Sequence, residues 1–281
     1  MKLTVYPDAA AFLERAQATL EQDEVRSNLI LGIALRLSRS PTPPIPPYLA
    51  TVEAGDALAV AAIITPPRNV LILGWDDAWR DGVRLVAANL AEQGMRPPGV
   101  VGPADVSRAF AAAYAEVAGV VVRDGLNERL YVLRQVVYRP DVPGRFRIAD
   151  PGDLDLVTRW YAEFEAEALD EHSDVGSLRE MVAAKIAAGD ISLWEDGEPV
   201  ALVGRTRPLR HGITIAPVYT PRPFRNRGYA TACTAAFTQR LLDSGYEFCT
   251  LFTNLANPTA NSIYQRIGYR PVADFDEYRF T

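Results

Sequence analysis

Two segments of the chain repeat one pattern at a fixed distance, and this repeat limits the folds that the chain can adopt. The segments are YLATVEAGDALAVAAIITPP and ISLWEDGEPVALVGRTRP, and each predicts a strand, an acidic-glycine turn, a strand and a proline-marked turn. Gly55 and Gly197 lie 142 positions apart, and so do Pro66 and Pro208. A duplicated unit is therefore predicted, and a single mixed sheet with two similar hairpins is the alternative.

The two units also begin alike. Asp8 and Asp150 keep the same offset, and each precedes a helical pattern, FLERAQATLEQ in the first unit and LVTRWYAEFEAEAL in the second. Prolines and a glycine in YRPDVPGR, residues 138–145, indicate an exposed connection, so we predict two domains, residues 1–143 and 144–281. The element pattern of each predicts an α/β fold of the α+β type, a mostly antiparallel mixed sheet flanked by helices.

Composition excludes several classes of function. The 281 residues carry a net charge of -6, which argues against general affinity for nucleic acid. No apolar stretch is long enough for a membrane span or a signal peptide, so we expect a cytoplasmic protein without a membrane partner. Two cysteines, Cys233 and Cys249, and two histidines give no zinc-ligand spacing, and we expect neither a disulfide nor a metal.

A candidate anion site lies between a strand and a helix. GITIAPVYT alternates like a strand that ends near Tyr219, and the helical pattern that follows RNRGYATA ends at Gly245. Amide groups at a helix N-terminus and the helix dipole favour a phosphate. Gly228 leaves the backbone accessible, and Arg225 and Arg227 supply charge. The pattern predicts a diphosphate site, although a surface turn with two solvated arginines fits the spacing equally well.

A second pattern follows about thirty residues later, in LFTNLANPTANSIYQRIGYRPV. A strand is predicted to end near Asn254, and a helix to begin with Asn257 as N-cap and Pro258 as first residue and to stop at Gly268. Tyr264 is predicted to lie on the flank of the buried stripe, facing a cleft. A phenol there suits protonation of a thiolate, because the two groups have similar pKa values.

Together these two patterns resemble the GNAT superfamily of N-acetyltransferases, which use acetyl-CoA. R-x-x-G-x-A at residues 225–230 and N-x-x-A-x-x-x-Y at residues 257–264 stand in the family's order, and the resemblance covers residues 213–280. It implies that Tyr264 is the general acid toward the CoA thiolate and that Asn257 binds the pantetheine arm. The residues that it places at acetyl-CoA are Ala216, Val218, Tyr219, Arg225, Asn226, Arg227, Gly228, Tyr229, Ala230, Asn257 and Asn261. It also implies a slot between two splayed strands near Ala216 and Leu251.

The general base is missing from the place where many relatives carry it, since ITIAPVYT contains no carboxylate. Candidates for the acceptor side lie in AEFEAEALDEHSD, where Glu163 and Glu167 share a helix face and Asp170, Glu171 and His172 follow. Their charge would attract a cationic amine, and a solvated helix face is the alternative.

The first unit is predicted to be a degenerate copy, because shifting the glycine loop back by 142 positions reaches DDAWRDGVRLVAANL, which lacks R-x-x-G-x-A. The proline-rich segment SRSPTPPIPPYL, residues 38–49, predicts an extended loop. The predicted function is acetyl transfer to a primary amine of a small molecule in a ternary complex. The alternative is an inactive binding or scaffolding protein that retains affinity for CoA. The sequence leaves the acceptor and the oligomeric state open.

Overall fold

The chain divides into two compact units. The structure, a computed structural model, describes residues 1–39, 45–169 and 173–281. Unit 1 comprises Met1–Leu130, Phe252–Asn257 and Pro271–Thr281, and unit 2 comprises Tyr131–Leu251 and Pro258–Arg270. Contacts therefore assign residues 131–143 to unit 2 and the last eleven residues to unit 1. The boundary at residue 143 stays a prediction of where one copy ends in the sequence.

Unit 1 is built on a mixed sheet. Its elements are β1 (Lys2–Val5), α1 (Ala9–Gln22), α2 (Glu24–Arg39), β2 (Tyr48–Ala54), β3 (Ala57–Ile64), β4 (Val70–Gly74), α3 (Trp79–Glu92), β5 (Gly99–Pro103), α4 (Ala104–Ala118), β6 (Val122–Leu133) and β12 (Arg270–Phe280). Strands β1 to β4 pair antiparallel in sequence order, β4 pairs parallel with β5, and β12 pairs antiparallel with β5.

Unit 2 repeats this arrangement. Its elements are β7 (Arg145–Ile148), a 3-10 turn (Pro151–Asp153), α5 (Leu154–Phe164), a π-helical turn (Glu165–Leu169), α6 (Val175–Ala187), β8 (Ile191–Asp196), β9 (Glu198–Thr206), β10 (Gly212–Tyr219), a 3-10 turn (Arg222–Phe224), α7 (Tyr229–Asp243), β11 (Phe248–Asn254) and α8 (Pro258–Ile267). Strands β7 to β10 pair antiparallel in sequence order, and β10 pairs parallel with β11. The predicted fold class is confirmed.

The landmarks of the repeat have the same structural role in both units. Gly55 and Gly197 turn their hairpins with φ of 64° and 73°, a conformation that disfavours residues with a Cβ. Asp8 accepts a hydrogen bond from the Ala11 amide at 2.9 Å, and Asp150 accepts one from the Gly152 amide at 2.7 Å. Both aspartates therefore cap the first helical turn of their unit.

The hairpins also share an irregularity that no sequence pattern signals. The pairing of β2 with β3 shifts register between Val52 and Glu53, and that of β8 with β9 shifts between Trp194 and Glu195. The two bulges keep the offset of the repeat. Both glutamates accept a charged hydrogen bond from an arginine, Arg15 in unit 1 and Arg147 in unit 2.

Each face of the unit 2 sheet is covered by its own pair of helices. On one face, the helices α7 and α8 pack through residues such as Cys233, Phe237 and Ile267. On the other, α5 and α6 pack through Val157, Val182 and neighbours. Alternation along the strands divides their side chains between these two cores, with Val203 on the first face and Leu202 on the second. The sheet is therefore buried on both faces, and the loop after β10 begins at its edge.

The predicted proline-rich loop differs in its bounds from the structure. Ser38 and Arg39 still belong to α2, and Tyr48 and Leu49 already belong to β2. Residues 40–44 lie outside the described part of the chain, so the predicted extended conformation is not described there. Within the described residues, no helix is long and apolar enough to cross a membrane.

Candidate functional site

The parallel strands β10 and β11 separate partway along their length. They pair at Gly212 with Phe248, and the last pair joins Thr214 and Thr250, whose hydroxyl oxygens are 2.9 Å apart. Beyond Thr214, β10 continues for five residues to Tyr219 without a further pair to β11. The structure therefore leaves β10 unpaired on this side at the place where the sequence predicts a slot.

A bulge marks the same stretch of β10. The register of β10 on β9 shifts between Ile215 and Val218, which leaves Ala216 and Pro217 out of the regular ladder. Pro217 has no amide hydrogen, whereas Val218 and Tyr219 keep theirs. The residues of this stretch that the resemblance places at acetyl-CoA, Ala216, Val218 and Tyr219, all keep their amide hydrogens, and of these Ala216 lies outside the ladder with β9.

The loop from Thr220 to Gly228 connects β10 to α7. A 3-10 turn at Arg222–Phe224 begins it, and two left-handed residues, Asn226 with φ of 63° and Gly228 with φ of 85°, end it. Asparagine and glycine are the residues that tolerate this conformation best, so the letters N-R-G encode the shape of the loop end. Gly228 is the last residue of the loop, and α7 begins at the next residue, Tyr229.

The N-terminus of α7 has no side-chain cap. Gly228 is the N-cap residue, and no side chain bonds to the first-turn amides from that position. The first amides of a helix have no intrahelical acceptor, and the helix dipole adds positive potential there. With the exposed Arg227 beside them, the amides of Tyr229 and Ala230 form a site that fits a phosphate group.

Gly228 is required for a reason that the sequence did not reveal. A Cβ on Gly228 would lie 2.9 Å from Cγ1 of Val142. The space beside this glycine is therefore occupied by half-buried Val142, while most of the predicted connection, residues 138–145, is exposed. That segment is fixed further by the Trp194 indole, which donates to the Pro143 carbonyl at 2.8 Å.

Tyr229 connects the start of α7 to the β8–β9 hairpin. Its hydroxyl donates to Asp196 Oδ2 at 2.5 Å, and this hydrogen bond, with burial, raises the pKa of Tyr229. The ring is buried, although the resemblance placed Tyr229 among the residues at acetyl-CoA. The phenol of Tyr229 thus anchors the helix start to the hairpin.

Arg225 is paired with Glu167, one of the residues predicted for the acceptor side. Its guanidinium donates to Glu167 Oε2 at 2.7 Å and to the Thr220 carbonyl at 2.8 Å. Arg222 approaches the same carboxylate at 3.4 Å. The Arg225 guanidinium holds the pKa of Glu167 below its usual range. Of the two arginines predicted to neutralise phosphate, Arg227 is therefore the one whose guanidinium makes no ion pair among the described residues.

Glu163 and Glu167 converge on the end of β10. The Tyr219 hydroxyl donates to Glu163 Oε2 at 2.9 Å and lies 3.4 Å from Glu167 Oε1. Burial first, and then the hydrogen bond to Glu163, raises the pKa of Tyr219. These two carboxylates are therefore not a merely solvated helix face. Asp170, Glu171 and His172 lie outside the described residues.

Tyr264 lies inside the core and not on the flank where the sequence predicted it. The side chain is 8% exposed and packs edge-to-face against Tyr269, with ring centroids 5.9 Å apart. Tyr264 belongs to the same buried cluster as Cys233 and Phe237 of α7, so the side of α8 that carries it is covered. Burial raises the pKa of Tyr264, so the phenol stays protonated well above neutral pH.

Asn261 has a structural partner. Its side-chain oxygen accepts from the hydroxyl of the fully buried Tyr131 at 2.8 Å, and Gln265 donates to the same hydroxyl at 3.0 Å. Asn257, the residue before α8, is exposed. Of the two asparagines assigned to acetyl-CoA by the resemblance, Asn257 is the accessible one.

Sequence reasoning missed Tyr161. The residue is 5% exposed, and its buried hydroxyl has no hydrogen-bond partner among the described residues. A Cβ on Gly204 would stand 3.1 Å from this hydroxyl and 2.9 Å from the Ala216 carbonyl oxygen, so Tyr161 points at the bulge of β10. The helical period places Tyr161 in the core, and no pattern signals that its hydroxyl lacks a partner. No sequence pattern indicated that Asp196 accepts a hydrogen bond from Tyr229 either.

The equivalent region of unit 1 differs in its loop and strand pairing, although α3 also begins without a side-chain cap. Only residues 75–78 separate β4 from α3, and they include Asp76 and Asp77. Arg80 donates to Asp77 at 2.8 Å and lies over the Trp79 ring at 4.7 Å. The pairing of β3 with β4 shows no register shift. A short acidic loop does not fit a diphosphate.

The described residues hold no group of three or more metal-ligating side chains. Residues 195–280 match a family model described as FR47-like protein. No curated protein sequence matches the chain.

Solved structures share the fold along almost the whole chain. An acetyltransferase of the GNAT family from Colwellia psychrerythraea has a TM-score of 0.62 at 10% identity and covers 100% of both chains. A GCN5-related N-acetyltransferase from Sphaerobacter thermophilus has a TM-score of 0.64 at 18% identity, with 99% of this chain and 95% of that chain covered. A tandem GNAT protein from the clavulanic acid biosynthesis pathway has a TM-score of 0.58 at 13% identity, covering 100% of this chain and 98% of that chain. The resemblance to the GNAT superfamily is confirmed, and the chain has the fold of a tandem GNAT protein.

Proposed function

We propose that the chain is an N-acetyltransferase that transfers the acetyl group of acetyl-CoA to a primary amine by direct attack in a ternary complex. The observation that carries the proposal is the uncapped N-terminus of α7, which lies beyond the segment of β10 that β11 leaves unpaired. A diphosphate and a thioester are the two parts of acetyl-CoA that these features suit.

Each residue has a part in this reaction. The amides of Tyr229 and Ala230 and the charge of Arg227 bind the pyrophosphate. Val218 and Tyr219 are adjacent, so their amides point to opposite edges of β10. The amide that points away from β9 binds the pantetheine or polarises the thioester carbonyl, which makes its carbon more electrophilic. Tyr264, kept protonated by burial, gives a proton to sulfur as the carbon–sulfur bond breaks.

The features of unit 1 indicate that each chain has one binding site, in unit 2, and not two. Its β4–α3 loop is acidic, and a Cβ on Gly102 of β5 would lie 2.4 Å from the Ile72 carbonyl of β4. The two strands thus stay in contact beyond their last pair, Leu71 with Val101. Unit 1 offers neither a diphosphate site nor an open strand end.

Calorimetric titration of the full chain with acetyl-CoA tests the proposal, followed by release of free thiol in the presence of a panel of small primary amines. We expect one site for each chain and amine-dependent thiol release. Binding without thiol release for any amine would favour the binding or scaffolding alternative. Two equivalent sites would contradict the assignment to unit 2.

A further inference from the structure

The proposed reaction needs a group that takes a proton from the amine. Amines are protonated at neutral pH and must lose a proton before they attack a carbonyl carbon. β10 contains no carboxylate, so this group must come from another element. The inference below rests on the proposed function.

Two carboxylates reach the end of β10, and their surroundings differ. Glu167 is paired with Arg225 at 2.7 Å and with Arg222 at 3.4 Å. A carboxylate neutralised by two guanidinium groups is a poor proton acceptor and has little charge left for a cation. Glu167 therefore holds the two arginines of the loop and is not the proton acceptor.

Glu163 has no such compensation. Within the described ranges it forms no ion pair, and its one hydrogen bond comes from the Tyr219 hydroxyl at 2.9 Å. That phenol is fixed between Trp160, with ring centroids 6.5 Å apart, and the Arg225 guanidinium at 5.8 Å. One oxygen of Glu163 is therefore held by a rigid ring, and the other is available to a cation.

A second observation comes from the same helix. The buried Tyr161 hydroxyl has no partner among the described residues and points at the bulge beside Ala216. A buried hydroxyl without a partner destabilises the fold, and a bound polar group that paired with it would remove that cost. Two polar side chains of α5 therefore approach β10, Tyr161 at the bulge beside Ala216 and Glu163 at the strand end.

We propose that Glu163 is the proton acceptor for the amine and that Tyr219 positions it. The acceptor binds as a primary ammonium ion at the Glu163 carboxylate and loses one proton to it. The nitrogen lone pair then forms a bond to the thioester carbonyl carbon, and the carbon–sulfur bond breaks with its electron pair on sulfur. Sulfur takes the proton of Tyr264, a second proton leaves nitrogen and restores Tyr264, and the proton on Glu163 passes to water. The products are one amide, one thiol and one proton.

The test compares Glu163→Gln with Glu180→Gln, an exposed glutamate on α6 of the same unit, in the full chain. Two probes are used with acetyl-CoA at pH 7: the fastest alkylamine of the panel, which is protonated at this pH, and methoxyamine, which is already neutral. We expect Glu163→Gln to slow acetylation of the alkylamine about 100-fold, the low end of what a general base contributes. Methoxyamine acetylation and the Kd for acetyl-CoA should stay within about threefold of the natural chain, because neither needs proton removal by Glu163.

Tyr219→Phe tests positioning. It keeps the ring but removes the hydrogen bond, and it should lower kcat for the alkylamine with little change in KM for acetyl-CoA. If the natural chain acetylates amines and Glu163→Gln matches Glu180→Gln, the inference is wrong and the proposed function stands. A uniform loss with both probes would assign Glu163 a structural role and would also contradict the inference. If the natural chain acetylates no amine, both the function and the inference fail.

Discussion

The loop between β10 and α7 and the loop between β4 and α3 occupy equivalent positions in the two units, yet they differ in length and charge. The first has nine residues with three arginines, and the second has four residues with two aspartates. The strands on either side pair in the same order, and the hairpin glycines and bulges coincide. The scaffold of a duplicated fold thus persists through local turns and strand pairing, while ligand chemistry depends on a few loop residues.

The helices that follow β5 and β11 differ in a similar way, because each buries a tyrosine but we assign a chemical role only to the one in unit 2. Tyr114 on α4 is fully buried, and its hydroxyl donates to the Met95 carbonyl at 2.7 Å. Tyr264 on α8 is also buried, next to Tyr269. One phenol is used by the fold, and we assign the other to the reaction.

The largest expected effect comes from Tyr264→Phe. We expect kcat to fall by about 100-fold, as for loss of a general acid, with the Kd for acetyl-CoA unchanged. Because burial raises the pKa of Tyr264, the phenol is protonated below that raised pKa. The kcat of the natural chain should therefore not fall from loss of this acid between pH 7 and about 10, the usual pKa of tyrosine. Stopped-flow or steady-state thiol release over this range measures both effects.

Tyr114→Phe is the matched control for that prediction. It should lower the free energy of unfolding by about 1 kcal/mol, through loss of the hydrogen bond to Met95, and leave kcat unchanged. A rate for Tyr264→Phe equal to that of Tyr114→Phe would remove Tyr264 from the mechanism.

Several features of unit 2 can be predicted from the sequence because they depend on residues close together in the chain. Strand alternation, Asn226 and Gly228 as left-handed residues, and Pro258 at the start of α8 are encoded within a few residues. The ends of β10 at Tyr219 and of β11 at Asn254 were also predicted correctly.

Contacts between residues distant in sequence were not predictable in this way. The Arg225–Glu167 pair spans 58 positions, and the Tyr131–Asn261 hydrogen bond spans 130. The packing of Val142 against Gly228 joins a supposed connection to the loop. Each depends on which side chains the completed sheet brings together, and periodicity gives a face but no partner. That is why Tyr264 was placed on a flank and Tyr161 was not recognised.

An intermediate effect is expected from reversing charge at the two helix starts. Arg227→Asp should weaken acetyl-CoA binding by about 30-fold, within the range for loss of a charged hydrogen bond. Arg80→Asp makes the same change in the first turn of α3 in unit 1 and should leave the Kd within about twofold, because this helix follows the acidic loop. Calorimetric titration of both variants with acetyl-CoA measures the two Kd values. Equal losses would mean that the effect is one of net charge and would undo the distinction between the loops.

The smallest effect tests what the two units share. Gly55→Ala and Gly197→Ala each place a Cβ on a residue with positive φ, and in both cases the added atom meets nothing within 4 Å. The cost is then backbone strain alone, about 1–2 kcal/mol for either variant, and it should be equal within error since the two φ values differ by only a few degrees. Denaturant unfolding of each variant measures it. Because the added Cβ meets no atom and leaves the hydrogen bond from Tyr229 to Asp196 in place, acetyl-CoA binding should not change in either case. A loss of stability in only one variant would show that the two turns contribute differently to the free energy of unfolding although their backbone geometry agrees. The repeat would then preserve the shape of the hairpin turn without preserving its contribution to stability.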